Sequence, residues 1–303
     1  MMLELDEKKI RKGKPIGLPY QGSKKKISKK IVEIIKQNFG TEKPIYDIFG
    51  GGGAITAECM LNGLEVHYND LDRTITDMFQ RVLATDREFL KTLIVSREEF
   101  FKIRDKENKT VDDELKLLVN SFGNNRENYL YSEEFSDLKY NIAIDVVKNH
   151  NTFKGYLKTK TYIDAVNNIK DKETLKQLVR IQQLAYIQQL EHVQNININN
   201  LEITNRDYIH FSYLSDVIIY LDPPYEKAHL KGYSINNFDS KAFYDWAYEM
   251  SKKNIVLISS YEISDKRFEC VYEFKTVKST FAPNKKSGDR TEKLFMVKKR
   301  GVK

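Results

Sequence analysis

The sequence predicts an α/β fold, a doubly wound sheet of seven strands with an antiparallel last strand, carrying a mostly helical insertion. Three observations lead there. Short β-branched runs alternate with helical patterns at both ends of the 303-residue chain. Four glycines, Gly50 to Gly53, follow the first strand and open a helix. From about Thr85 to Gln194 strand signals give way to helical patterns broken by polar loops such as RDKENKT and SFGNNREN. The expected division is a sheet domain over 1–84 and 195–303 and a helical domain over 85–194.

KISKKIVEIIKQNF places Ile27, Ile31, Ile34, Ile35 and Phe39 on one face with lysines opposite, which predicts an amphipathic helix. PIYDIF, from Pro44, reads as a short strand, and AITAECMLN as a helix that Gly63 can end. LEVHY is a second strand and DLDRTITDMFQRVLA the helix after it. This is β-α-β-α at the spacing of parallel crossover units. In the insertion, IQQL occurs at Ile181 and again at Ile187; one long helix accounts for it better than a repeat array. The sheet pattern resumes with NLEIT from Asn200 and DVIIYL from Asp216, then a helix around SKAFYDWAYEMSKK and NIVLISSY from Asn254. CVYEFKTV and EKLFMVKK, separated by the basic loop KSTFAPNKKSGDRT, read as an edge hairpin whose strands are antiparallel to each other.

Hydrophobic content of 41% with 12% aromatic residues supports a core and excludes wholesale disorder. No run reaches the length of a membrane span, and the charged N-terminus lacks the apolar region of a secretory signal, so a cytoplasmic protein is expected. Cys59 and Cys270 make no disulfide framework and read as small buried residues in a reducing compartment. The five histidines show no metal-ligand spacing, so no metal site is expected, and Trp246 reads as core on the apolar face of its helix.

The net charge of +7 is unevenly spread. Ten basic residues and no acid lie between Lys8 and Lys30, and ten more lie beyond Phe274 against Asp289 and Glu292, which leaves the middle acidic. Lysine-rich ends are either solvated surface or a phosphate-backbone surface, since Lys and Arg gain affinity by releasing DNA counterions. On the second reading Lys25, Lys26, Lys285 and Lys286 are candidate DNA contacts. The loop SFGNNRENYLYSEEF, either an ordinary polar loop or a recognition loop, adds Asn124, Asn125, Arg126 and Asn128, residue types that suit base edges and phosphates.

In YDIFGGGGA the backbone of Gly50, Gly51 and Gly52 can approach a ligand with no Cβ in the way. The dinucleotide pattern G-x-G-x-x-G fails because Ile55 stands at its third glycine, and the phosphate-binding G-x-x-x-x-G-K-[ST] pattern is absent. A nucleoside-like ligand with no phosphate to cradle fits better. Asp70, at the end of the second strand, is placed to accept hydrogen bonds from ribose hydroxyls. Together these point to an adenosine cofactor such as S-adenosylmethionine (SAM).

In VIIYLDPPYEK a buried strand ends in Asp222, Pro223, Pro224 and Tyr225. The prolines fix φ and lack N–H groups, so the backbone there is rigid and presents only carbonyl acceptors. A carboxylate beside a carbonyl is an acceptor pair for an –NH2 group, and Tyr225 offers a face on which a ring can stack. An aromatic amine is a poor nucleophile because its lone pair is delocalised. Two acceptors on its hydrogens draw the nitrogen toward tetrahedral geometry for displacement at a sulfonium methyl carbon, where positioning contributes much of the acceleration.

The chain resembles the Dam-like class of DNA adenine-N6 methyltransferases, SAM-dependent enzymes of bacteria and phages. PYQGSK resembles the class motif Y-x-G-x-K, DIFGGGGA its F-x-G-x-G motif, YND the segment with the ribose acid, and YLDPPYE the catalytic motif. EITNRDY, FDSKAFYDWA, ISSYEIS and RTEKLF resemble further class segments in the class order. The resemblance implies the Rossmann-like sheet of SAM-dependent methyltransferases, with Tyr20 and Lys24 at the methionine end of SAM. It further implies cofactor contacts from Asp47, Phe49, Gly50, Gly51, Gly52, Asp70 and Asp207, and catalysis by Asp222, Pro223, Pro224 and Tyr225. The insertion would be the target-recognition domain and double-stranded DNA the partner, with no obligate protein partner evident. An adenine in a duplex reaches such a pocket only when flipped, at a cost of a few kcal/mol. Methyltransferases of RNA bases or protein amides share the SAM motifs but carry N-P-P-Y, against which Asp222 argues; intact motifs argue against a catalytically silent DNA-binding protein.

Overall fold

The structure, a computed structural model, describes residues 2–20, 22–178, 180–196, 201–226, 238–274 and 291–298. The chain forms two compact units: 1–15, 24–76 and 197–303 make the first, 16–23 and 77–196 the second.

The first unit is built on α1 (Lys25–Phe39), β1 (Ile45–Asp47), α2 (Ala54–Leu61) and β2 (Val66–Asn69), followed by α3 (Arg73–Leu83), within which the division between units falls. In α1 the isoleucines Ile27, Ile31, Ile34 and Ile35 are buried, as their spacing predicts, and Gly40 ends the helix at φ +83°. After the second unit the chain returns with β3 (Glu202–Thr204), β4 (Ile218–Leu221), β5 (Ile255–Ser260), β6 (Phe268–Glu273) and β7 (Lys293–Val297). The seven strands lie in the order β3-β2-β1-β4-β5-β7-β6. β1 to β5 are parallel, and β7 runs antiparallel to both neighbours. The expected hairpin of the last two strands forms, but β7 slots inward between β5 and β6, so β6 becomes the edge. The outer side of β6 is partly covered by the N-terminal segment, where Leu3 donates its N–H to the Val271 carbonyl at 2.8 Å.

Strand side chains alternate between two cores. Ile218 and Tyr220 of β4 join Ile45, Val66, Leu257 and the isoleucines of α1 on one face. Ile219 and Leu221 join Val256, Ile258 and Phe243, Ala247 and Met250 of the helix over 240–250 on the other. Burial of β4 on both faces explains its continuous apolar run. Trp246 is half-buried, not core: its indole N–H needs an acceptor and finds the Ser212 hydroxyl at 2.9 Å. Cys59 is fully buried and Cys270 half-buried.

The second unit holds α4 (Arg87–Lys91), α5 (Arg97–Arg104), α6 (Val111–Asn120), α7 (Glu133–His150), α8 (Lys160–Asn167), α9 (Lys172–Leu178) and α10 (Gln182–Gln194); the helix over 240–250 in the first unit is α11 (Ser240–Met250). Asp86, Ser96 and Thr110 cap α4, α5 and α6 through their side chains, Thr110 in a reciprocal capping box with Asp113. Val95, Phe100, Ile103, Leu117, Tyr129 and Tyr131 pack together. Beside them, buried Gln183 donates to the Asn120 side chain at 2.5 Å and to the Val95 carbonyl at 3.2 Å. The two IQQL segments lie on α10, with Leu184, Ile187 and Leu190 buried. Among the described residues no helix is long and apolar enough to cross a membrane.

Candidate active site

The order of winding reverses between β1 and β4, so the C-terminal ends of these two strands flank the crevice where doubly wound sheets bind ligands. Asp47 ends β1, and its Cα partner on β4, Tyr220, lies two residues before Asp222, which directly follows the strand. The sheet thus brings the glycine turn and the D-P-P-Y tetrapeptide to one place.

At the glycine turn, Gly51 (φ +48°) and Gly53 (φ +71°) adopt the left-handed conformation that glycine tolerates best. Gly50 answers a different demand. A Cβ there would stand 2.3 Å from Cε2 of Tyr68, whose hydroxyl donates to the Gly51 carbonyl at 2.7 Å. The Asp70 carboxylate accepts from the N–H of Gly51 at 2.8 Å and of Asp72 at 2.9 Å, and burial raises its pKa to about 6. Asn69, which the sequence reading passed over, ties the strand ends together. It donates to the carbonyls of Ile48 and Arg206 and accepts from Thr204 and the Arg206 N–H, all at 2.8–2.9 Å.

Asp47 is 1% exposed. Its Oδ2 accepts from the Thr56 N–H at 3.1 Å and hydroxyl at 2.7 Å, while Oδ1 has no hydrogen-bond partner among the described residues. Burial, with smaller contributions from Asp222 and Asp70, pushes its pKa up to about 7. Phe49 packs edge-on to Phe243 at 5.7 Å and lies 6.1 Å from Tyr208; the neighbouring Asp207 is exposed and caps its own turn through the Ile209 N–H.

Asp222 lies at the centre of an ionic cluster. Lys24, just before α1, donates its ammonium to both Asp222 oxygens at 2.7 Å and to the Tyr225 oxygen at 2.6 Å. The Tyr225 hydroxyl donates to Glu292 at 3.0 and 3.1 Å, and Ser259 donates to the same carboxylate at 2.8 Å. Tyr225 also packs edge-on to Tyr261 at 4.6 Å. Burial raises the Asp222 pKa to about 6; Lys24 pulls it back and Glu292 pushes it further up. Pro223 is buried and Pro224 half-buried. The Lys24–Asp222 contact, Ser259, Tyr261 and Glu292 escaped the sequence reading; only the acid in basic RTEKLF hinted at the last.

Tyr20 belongs to the segment 16–23 of the second unit. Lys25 opens α1, where burial lowers its pKa to about 8, and Lys26 is exposed. In the second unit Asn124 donates to the Leu118 carbonyl, Asn125 accepts from the N–H groups of Glu127 and Asn128, and Arg126 pairs with Glu114 at 2.9 Å. Asn124 and Arg126 have φ of +58° and +63°, so this loop uses its polar side chains to hold a left-handed path. Lys285 and Lys286 lie outside the described residues.

The family model for D12 class N6 adenine-specific DNA methyltransferases matches residues 20–280. The chain belongs to that family. As a D12-class methyltransferase it carries its crevice acid, Asp222, inside the matched region, with β7 beyond it. Similar solved structures include a Haemophilus influenzae protein proposed to be a methylase, 9% identical, with TM-score 0.32 over 89% of this chain and 86% of that one. An Escherichia coli protein proposed to be a methyltransferase is also 9% identical, with TM-score 0.34 over 93% and 92%. No curated protein sequence matches significantly.

Proposed function

We propose that this D12-class methyltransferase transfers the methyl group of SAM to N6 of an adenine flipped out of double-stranded DNA at specific sites, the second unit reading the sequence. The observation that carries the reading is the ammonium of Lys24 on both oxygens of Asp222, at the end of β4 beside the reversal of winding. A carboxylate that cradles one N–H-bearing group has the geometry to accept another.

The residues at the glycine turn suit SAM. Among the described residues the buried Asp47 Oδ1 has no donor, which an α-amino group provides, and Asp70 keeps acceptor capacity beyond its two backbone bonds. Asp47, Phe49, Gly50, Gly51, Gly52, Asp70, Asp207 and Lys24 would hold the cofactor. When bound, SAM supplies an electrophilic methyl group on a sulfonium centre. Asp222 and the Pro223 carbonyl accept the two N6 hydrogens, and the prolines keep these acceptors still. Tyr225 stacks the base. Lys24 yields one of its bonds as the amino group arrives, and Asp222 takes the proton that N6 sheds once methylated.

The direct test supplies labelled SAM with duplex DNA, RNA or protein and digests the labelled product. N6-methyladenine from duplex DNA is the expected result; label in RNA or protein alone overturns the reading.

The raised carboxyls predict opposite pH responses for rate and stability. With Asp222 at about 6, its ionised fraction, and with it the single-turnover rate, falls about tenfold per unit below pH 6. The folded state binds protons more tightly than the unfolded at Asp47, Asp70 and Asp222. Their contribution to stability is therefore fully present below about pH 4 and lost as pH rises through 6 to 7. Rates measured on the preformed complex and thermal unfolding between pH 5 and 8 check both slopes; a rate that stays flat to pH 5 contradicts the role of Asp222.

A further inference from the structure

Glu292 directly precedes β7 and lies past the residues that the family model matches. Because β7 slots between β5 and β6, Glu292 is held from two sides. Its backbone carbonyl accepts from Phe274, just after β6, at 3.0 Å, and its carboxylate accepts from Ser259 of β5 at 2.8 Å. That carboxylate, 14% exposed, takes the Tyr225 hydroxyl on both oxygens and stands 3.9 Å from the Lys24 ammonium. A glutamate at a strand end needs none of this to remain solvated. Partial burial costs desolvation, which the two hydroxyl donors and the shared ammonium offset.

The contacts form a chain of dependence. Tyr225 is fixed at two points, its hydroxyl by Glu292 and its ring edge by Tyr261 at 4.6 Å. The Tyr225 oxygen accepts from Lys24, which also bridges Asp222, so the position of one carboxylate reaches the other through a tyrosine and a lysine. We propose that Glu292 is a positioning residue for methyl transfer: it fixes the Tyr225 ring through its hydroxyl and, as a second negative charge, holds Lys24 between two carboxylates. The proposal rests on the assignment of Asp222 and Tyr225 to the target adenine. The groups that face Asp222 are Lys24 before α1, Asp47 of β1, Tyr220 of β4, Tyr225 of its own loop and Glu292 before β7. Among the described residues that face it only Lys24 is cationic, so neutralising Glu292 leaves Lys24 less opposed and Asp222 easier to ionise.

The test measures single-turnover methylation of duplex DNA against pH for wild type, E292Q, E292A, Y225F and Y225F/E292A, with thermal unfolding as a check on folding. E292A is expected to lose about ten- to a hundredfold in rate with DNA affinity changed by less than about twofold. E292Q keeps an acceptor for the hydroxyl and recovers most of that rate, but its acid limb lies at lower pH than in wild type. In the Y225F background the hydroxyl route is gone, so E292A costs less than it does alone, while its charge effect on Lys24 remains as a shifted acid limb. An E292A rate equal to wild type, an unmoved acid limb in E292Q, or losses that multiply in the double variant each overturn the proposal. If E292A fails to fold, the E292Q acid limb decides. Wild type that methylates adenine while the Glu292 variants match it defeats this inference alone; wild type that yields no N6-methyladenine defeats the functional reading and this inference with it.

Discussion

Asp222→Asn is expected to lower the single-turnover rate about a thousandfold while leaving the protein folded and able to bind SAM. Asparagine keeps the shape of the side chain and one carbonyl acceptor. It loses the charge, and its NH2 group donates where the carboxylate accepted, so it opposes both Lys24 and an incoming amino group. It also cannot take the proton shed by N6. Asparagine is a sharper probe than alanine. Asp222→Ala deletes one member of a half-buried ion pair, with side chains 10% and 17% exposed, and so adds a folding defect to the catalytic one. Burst-free rates on duplex DNA, with calorimetric SAM binding on the same preparation, separate the two effects. An asparagine variant that keeps more than about a tenth of the rate would remove Asp222 from the chemistry.

Gly50→Ala carries the second large effect, this time on the fold. The added Cβ meets the Tyr68 ring at 2.3 and 2.4 Å and the Asn69 carbonyl at 3.2 Å. Tyr68 is fully buried and anchored through its hydroxyl to Gly51, so the ring has no room to withdraw. Overpacking of this kind costs about 3 kcal/mol and displaces the turn that carries Gly51 away from the Asp70 carboxylate it bonds. SAM affinity falls with stability. Gly63→Ala is the contrasting control. Its φ of +71° strains any side chain, but the space around it is open, so about 1 kcal/mol is expected. Tyr68→Leu in the Gly50→Ala background returns part of the loss by vacating the ring positions. Chemical denaturation resolves these differences; Gly50→Ala within about 0.5 kcal/mol of wild type would show that the turn can shift freely.

Much of the fold is legible in the sequence because parallel strands covered on both faces need continuous apolar runs, and VIIYL is one. The alternation of such runs with amphipathic helices leaves few topologies. The place of β7 is not legible. Its hairpin with β6 follows from the short connection, but insertion beside β5 depends on a pairing between Ser259 and Leu294, distant in sequence. The site divides in the same way. D-P-P-Y, the glycines and Asp70 announce themselves through local chemistry, whereas Lys24 and Asp222 meet across 198 positions with no local sign that they will. The loop around Arg126 shows the opposite difficulty. Asparagine and arginine suit base edges, but equally a strained turn that satisfies itself, and composition does not separate the two.

The inward place of β7 also has a consequence for how the protein is made. Translation runs from the N-terminus, so β1 to β5 can associate while the ribosome still holds the rest, but β6 has no strand of the sheet to pair with until β7 emerges. Until then β5 lacks its partner strand β7, and the Ser259 and Tyr225 hydroxyls lack the Glu292 carboxylate to which they donate. The cluster of Lys24, Asp222, Tyr225 and Glu292 is thus among the last features to assemble, and a nascent or prematurely ended chain is a sheet with an open edge and an unfinished cluster.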